Sequence, residues 1–118
     1  MKTPRLEELN FESLARLVKT RFRVWVGPND LVELELYEAT PPRVTPAGVG
    51  TKAVYEGFSL LFLGPADRLL PQRIYPFECE QLGRFELFIV PIGRDENGAR
   101  YEAAFNRLLK PAGAEGQA

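Results

Sequence analysis

Along most of this chain apolar residues recur at every second position, a period that predicts extended strands rather than helices. Phe22, Val24 and Val26 share one face of a first strand, and Val32, Leu34 and Leu36 share one face of a second, from Leu31 to Tyr37. Between them Gly27-Pro28-Asn29-Asp30 is a turn cluster, so the two read as a hairpin. Matching the apolar faces sets Val24 opposite Leu34 or Val32. Either register leaves a three-residue loop with Asp30 or Asn29 at the left-handed position, and places Arg23 across from Glu35 or Glu33 on the outer face.

The second half predicts four more strands: Val54 to Leu63, Arg73 to Glu80, Arg84 to Ile92 and Ala99 to Asn106. Gly64-Pro65, Gln81-Leu82-Gly83 and the stretch from Gly93 to Gly98 separate them. Asn97-Gly98 between two alternating runs is a strong hairpin signal, and it pairs the last two strands with Phe85, Leu87, Ile89, Tyr101, Ala103 and Phe105 facing the core. Pro76 has no backbone N–H, so Arg73–Glu80 is expected at a sheet edge or with a bulge.

Only the N-terminal part changes period. Leu6, Leu9, Leu14, Leu17 and Val18 fall on one helical face, which predicts a helix from Leu6 to Val18. Thr3-Pro4 is a suitable start, and Asn10 is an alternative cap for a shorter or broken helix. Ala39 to Thr51 carries Pro41, Pro42, Pro46, Gly48 and Gly50 and reads as a long loop, a weak pointer to a contact surface. The small, polar segment from Lys110 to Ala118 is expected to be disordered. The chain therefore reads as one domain over residues 1–118, ordered over 4–109. The expected architecture is mainly β: a six-stranded antiparallel barrel or sandwich with one N-terminal α-helix.

Two segments break the alternation. In Phe58 to Leu63, Leu61 and Leu63 oppose Phe58, Leu60 and Phe62. In Phe85 to Ile92, Phe88, Val90 and Ile92 oppose Phe85, Leu87 and Ile89. A small ring or two-layer sheet has one inside, so the second set needs cover. The helix and the long loop can supply part of it. The remainder, Trp25, Leu61, Leu63, Phe88, Val90 and Ile92, is the candidate interaction surface.

Composition removes more chemistry than it suggests. The 118 residues carry a net charge of −1, with 45% hydrophobic and 26% charged residues, ordinary values for a globular domain. The most basic stretch, Lys19-Thr20-Arg21-Phe22-Arg23, is soon followed by Glu33, Glu35 and Glu38, which fits pairing within a sheet rather than a nucleic-acid stripe. With no histidine there is no Ser-His-Asp or Cys-His nucleophile system. One cysteine, Cys79, makes neither an intramolecular disulfide nor a thiolate zinc site. Phosphate-cradling glycine loops are absent. Asp95-Glu96-Asn97-Gly98 lacks the distal ligands of a calcium loop and reads as a turn. No cofactor or metal is expected. Neither a leader-like apolar run at the start nor a stretch of about 20 apolar residues suggests a membrane, so the expected location is cytoplasmic, with leaderless export into an assembly an alternative.

Glu56, Glu78, Glu86 and Glu102 lie near Tyr55, Tyr75 and Tyr101, and two carboxylates about 5 to 9 Å apart in a barrel mouth could hydrolyse a glycoside. The face assignment turns Glu78, Glu86 and Glu102 outward, and solvated strand faces explain them.

The segment from Leu70 to Asn106 resembles an uncharacterised bacterial family of small proteins, a domain of unknown function. The resemblance rests on Leu70-Pro71-Gln72, Tyr75, Phe77-Glu78, Leu82-Gly83, Leu87-Phe88, Val90-Pro91, Gly93, Gly98, Tyr101-Glu102-Ala103 and Phe105-Asn106, with Phe58 to Leu61, Phe62 and Gly64-Pro65 before them. Relatives often carry histidine where Cys79 stands, so a shared histidine mechanism is not implied. Such sequences accompany phage-tail-collar-like and surface-appendage proteins, which implies an accessory role in an assembly. Two readings follow. One is a non-catalytic interaction module whose partner is itself or another protein. The other is a small-molecule-binding barrel or cryptic hydrolase using Glu and Tyr. A filled core with an apolar outer patch favours the first; an enclosed cavity with two inward carboxylates favours the second.

Overall fold

Residues that alternate in the sequence alternate in space: buried and solvent-facing side chains interchange along β1 (Arg21–Gly27), β2 (Asp30–Ala39), β5 (Arg73–Cys79) and β6 (Gly83–Asp95). The remaining elements of the computed structural model are α1 (Phe11–Ala15), β3 (Arg43–Pro46), β4 (Val54–Gly64) and β7 (Gly98–Leu109). The structure describes residues 11–46, 48–50 and 52–109, with side chains to residue 106. Residues 6–10 of the expected helix and the whole of the expected tail lie outside the described residues.

All pairings are antiparallel. The strands follow one another as β2-β1-β5-β6-β7-β4, and β2 pairs again with β4, so six strands close into a barrel-like ring. The seventh, β3, lies outside that ring and pairs with the first part of β4, from Arg43↔Gly57 to Pro46↔Val54. The expected loop from Ala39 to Thr51 thus contains a strand. Nothing in its proline-rich sequence marks it, because all four residues are exposed and the long neighbour β4 supplies the pairing. Its one proline, Pro46, and its Arg43 sit on an edge strand, where both residue types are tolerated.

The β1–β2 register sets Val24 opposite Val32 and Arg23 opposite Glu33. Val26 is the extra residue of a bulge, and Gly27 pairs with Asp30 across Pro28-Asn29. This corrects the expected three-residue loop. Neither Asn29 nor Asp30 is left-handed, and among the described residues the left-handed non-glycine position is Lys19, φ 80°. Lys19 ends the turn after α1 and donates its N–H to the Leu36 carbonyl at 2.6 Å, which ties the helix to β2.

The last two strands pair through Asp95↔Gly98, as their hairpin signal predicts, but only as far as Val90↔Glu102. Beyond that point they part: β6 pairs with β5, and β7 continues along β4 from Gly64↔Ala99 to Val54↔Leu109. Arg73–Cys79 is an inner member of the ring, not an edge, although its ladder with β1 comprises Arg23↔Glu78 and Val24↔Phe77 and ends just before Pro76.

The ring interior is filled by side chains. Phe22, Phe62, Phe77 and Phe85 pack ring against ring, with centroids 5.4 to 6.2 Å apart, amid buried Leu34, Leu36, Leu60, Ile89 and Ala103. Leu14 and Leu17 of the helical segment enter this core beside the end of β2. At the other end Leu70, 2% exposed, plugs the ring from the β4–β5 connection. Two buried tyrosines hold that connection. Tyr101 Oη accepts the Leu70 N–H at 2.8 Å and donates to the Arg68 carbonyl at 3.3 Å, while Tyr75 Oη donates to the Pro71 carbonyl at 2.6 Å. Arg68 also reaches back to Asp30 with both terminal guanidinium nitrogens, Nη1 and Nη2. Among the described residues no helix is long and apolar enough to cross a membrane.

Candidate interaction surface

Once the inward positions of a strand are spent on the core, its remaining positions face water, so any large apolar side chain there is left uncovered. The β5–β6 register turns Tyr75 and Leu87 inward as a pair, and the next pair, Ile74 and Phe88, outward. These two sit directly opposite each other, 57% and 47% exposed. Val90 follows Phe88 on the same face of β6 and is opposite Glu102 of β7, which is in turn opposite Leu61 of β4. Ile92 is the extra residue of a bulge between Pro91 and Gly93 and is 49% exposed. Together with Leu61 it borders an outer groove over the small residues Gly57, Ser59 and Ala104.

Trp25 and Leu63 lie apart from that centre. Trp25 faces a pocket with Pro28 and Pro76, and the Arg84 guanidinium lies over its ring, 5.4 Å from the centroid. The indole Nε1 is shielded from solvent without an acceptor among the described residues, which leaves a donor unsatisfied at a cost of about 1 to 3 kcal/mol. Leu63 is opposite Arg100 on one side and Glu35 on the other, and it packs on the turn at Gly98. The six candidate residues therefore occupy one apolar centre and two separate flanks.

Neither the helix nor β3 covers the centre. The helix spends Leu14 on the core and sets Phe11 edge-on against Phe58, which stacks on Phe105 at 4.8 Å. It closes an end of the ring instead of shielding a face. Ile74 was missing from the expected surface, although its signal was present. Tyr75, Phe77 and Cys79 turn inward, and that alone sends Ile74 outward; the strand simply showed one outward aliphatic residue rather than a run.

Two of the four candidate carboxylates, and the buried tyrosines Tyr75 and Tyr101, are engaged elsewhere. Glu78 is paired with Arg23 at 3.3 Å, and Glu102 accepts the Ser59 hydroxyl at 2.6 Å. Among the described residues no polar or charged side chain is buried in the core, and no group of three potential metal ligands gathers. Burial pushes the Tyr75 and Tyr101 hydroxyls and the Cys79 thiol above their ordinary pKa values, so they stay protonated. That is the reverse of an activated nucleophile. On the surface, the Arg68 hydrogen bond lowers the Asp30 pKa. The Asn97 backbone N–H, and after it Arg100, lowers that of Asp95.

Comparison with known families then places the chain. The profile of a domain of unknown function, DUF6916, matches residues 9–105. The chain belongs to this family. The match extends well beyond the segment from Leu70 to Asn106 that carried the resemblance, and takes in the helix and every strand up to Phe105 of β7. No curated protein and no solved structure matches.

Proposed function

We propose that this DUF6916 chain is a non-catalytic interaction module that associates, with itself or with another protein, through the outer face of its strand ring. The observation that carries this reading is the Ile74–Phe88 pair, opposite in register and about half exposed over a core that is already full. Covering a half-exposed side chain of this size is worth about 1 kcal/mol. Two of them fall far short of the roughly 8 kcal/mol of a micromolar complex. A contact of useful strength therefore takes in Val90, Ile92 and one of the flanks as well. On the resemblance described above, the role is accessory to a phage-tail-like or surface-appendage assembly.

The test has two arms, light scattering of the purified chain at micromolar concentration and capture of partners from the native cells. At least one arm should give a complex, and Phe88→Ser should weaken it several-fold while leaving the chain folded. A complex in neither arm, or one indifferent to Phe88→Ser, overturns the reading.

A further inference from the structure

The ring is not sealed along its whole length. The β1–β5 ladder stops after Val24↔Phe77. Beyond it β1 bends at the Val26 bulge, and β5 presents Pro76, which has no N–H to offer a neighbour. On the β1 side, Arg73 to Pro76 is thus a strand edge with no ladder partner among the described residues, although its other side is fully paired with β6. Beside this edge lies a pocket of ≈ 460 Å³, walled by Trp25, Pro28, Pro76 and Arg84. The charges around it are uneven. Arg23 is taken by Glu78, whereas Arg84, although opposite Glu78 in the β5–β6 register, rests on the Trp25 ring and makes no ion pair among the described residues. The Trp25 Nε1–H likewise has no acceptor there.

We propose that this seam binds an extended segment of a partner protein, which adds as a strand along Arg73–Pro76 and presents an acidic side chain to Arg84. Each feature selects that occupant. A bare strand edge is satisfied by another extended backbone, whose alternate side chains point the same way. One apolar residue of the segment enters the Trp25–Pro76 pocket, and its neighbour two positions along reaches the exposed Ile74–Phe88 pair. A carboxylate completes the guanidinium of Arg84, and a backbone carbonyl serves Nε1 after a small turn of the indole. The inference rests on the interaction-module reading and gives it a partner chemistry.

Selection from a random twelve-residue peptide library displayed on phage tests it, with the wild-type chain and Arg84→Glu as parallel baits. The wild type should enrich peptides with apolar residues at two-residue spacing beside an acidic one. Arg84→Glu should enrich a basic residue at that place and bind the wild-type peptides about tenfold more weakly. A purely structural stacking of Arg84 on Trp25 would leave the selected charge unchanged. Trp25 is the sole tryptophan, so its emission should shift when a selected synthetic peptide is added, and N-methylation of alternate peptide nitrogens should abolish the shift. No enrichment by folded protein, or enrichment without the acid-to-base exchange, overturns the proposal. So does a Trp25 emission that depends on protein concentration alone, since a second copy then fills the seam. A complex sensitive to Phe88→Ser but indifferent to peptide would remove this inference and leave the interaction module standing.

Discussion

Replacing Tyr101 by phenylalanine removes one oxygen from the centre of the β4–β5 connection and nothing from the apolar core. In the wild type that oxygen accepts the Leu70 N–H at 2.8 Å and donates to the Arg68 carbonyl at 3.3 Å. The first bond matters more, because Leu70 is 2% exposed and its N–H loses its partner in a place water enters poorly. An unsatisfied buried donor costs about 1 to 3 kcal/mol, and the longer bond to Arg68 adds a few tenths, so Tyr101→Phe should destabilise by about 2 kcal/mol. Tyr75→Phe frees a carbonyl at exposed Pro71, which water can serve, and should cost about 1 kcal/mol or less. Leu70→Ala opens a cavity worth about 2 to 5 kcal/mol. Since Tyr101 and Leu70 secure the same segment, their double variant should lose less than the two single losses combined, by about 1 kcal/mol. Urea unfolding followed by Trp25 emission measures all four. A loss below about 0.5 kcal/mol for Tyr101→Phe, or full additivity with Leu70→Ala, would refute the claim that this hydroxyl holds the plug in place.

Three further outcomes follow from local geometry. Gly98→Ala places a methyl 2.6 Å from the Gly64 carbonyl at a φ of 147°, and should cost about 3 kcal/mol; Gly83→Ala, at φ 73° with open space around it, should cost only the backbone strain of about 1 to 2 kcal/mol. Urea midpoints rank the two. Phe105→Ala removes a ring that is half-buried rather than buried, stacked on Phe58, so its loss should fall to about 2 kcal/mol, below the 3 to 5 kcal/mol of a fully buried ring. Stability should hold up to mildly alkaline pH and then fall: the folded chain keeps the Cys79, Tyr75 and Tyr101 protons above the ordinary values of 9.0 and 10.0, so the unfolded chain loses them first. Melting temperatures across that range, in wild type and Cys79→Ala, should diverge from about pH 9 upward.

Strand identity was legible because alternation is a local property that a one-sided sheet enforces residue by residue. The β1–β2 faces, the β6–β7 turn at Gly98 and the inward set from Phe85 to Ala103 all follow from it. What escaped depends on non-local partners. Arg43-Val44-Thr45-Pro46 becomes a strand only because β4 runs past the ring and offers an edge. The parting of β6 from β7 beyond Val90 depends on the other strands of the ring, β5 lying along β6 up to Ile89 and β4 along the far edge of β7. A helix was legible, but it ends at Ala15 rather than Val18, with Arg16–Lys19 forming a turn, and its place at the end of the ring involves the Lys19–Leu36 hydrogen bond, which no periodicity announces. On the surface, runs of outward apolar residues pointed to Phe88, Val90 and Ile92. Ile74 completes that patch through register, which the sequence of a single strand does not contain.

The most direct test of the outer face as a contact surface is hydroxyl-radical footprinting of individual side chains, read by mass spectrometry. The dilute purified chain is compared with the same chain at high concentration and in an extract of its native cells. Ile74 and Phe88 should lose reactivity in at least one of the two assembled samples. Val44 and Val49, 61% and 107% exposed and carried on or just after β3, outside the six-strand ring, should not change. Undiminished reactivity at Ile74 and Phe88 in both samples, or an equal loss at all four residues, would contradict the account.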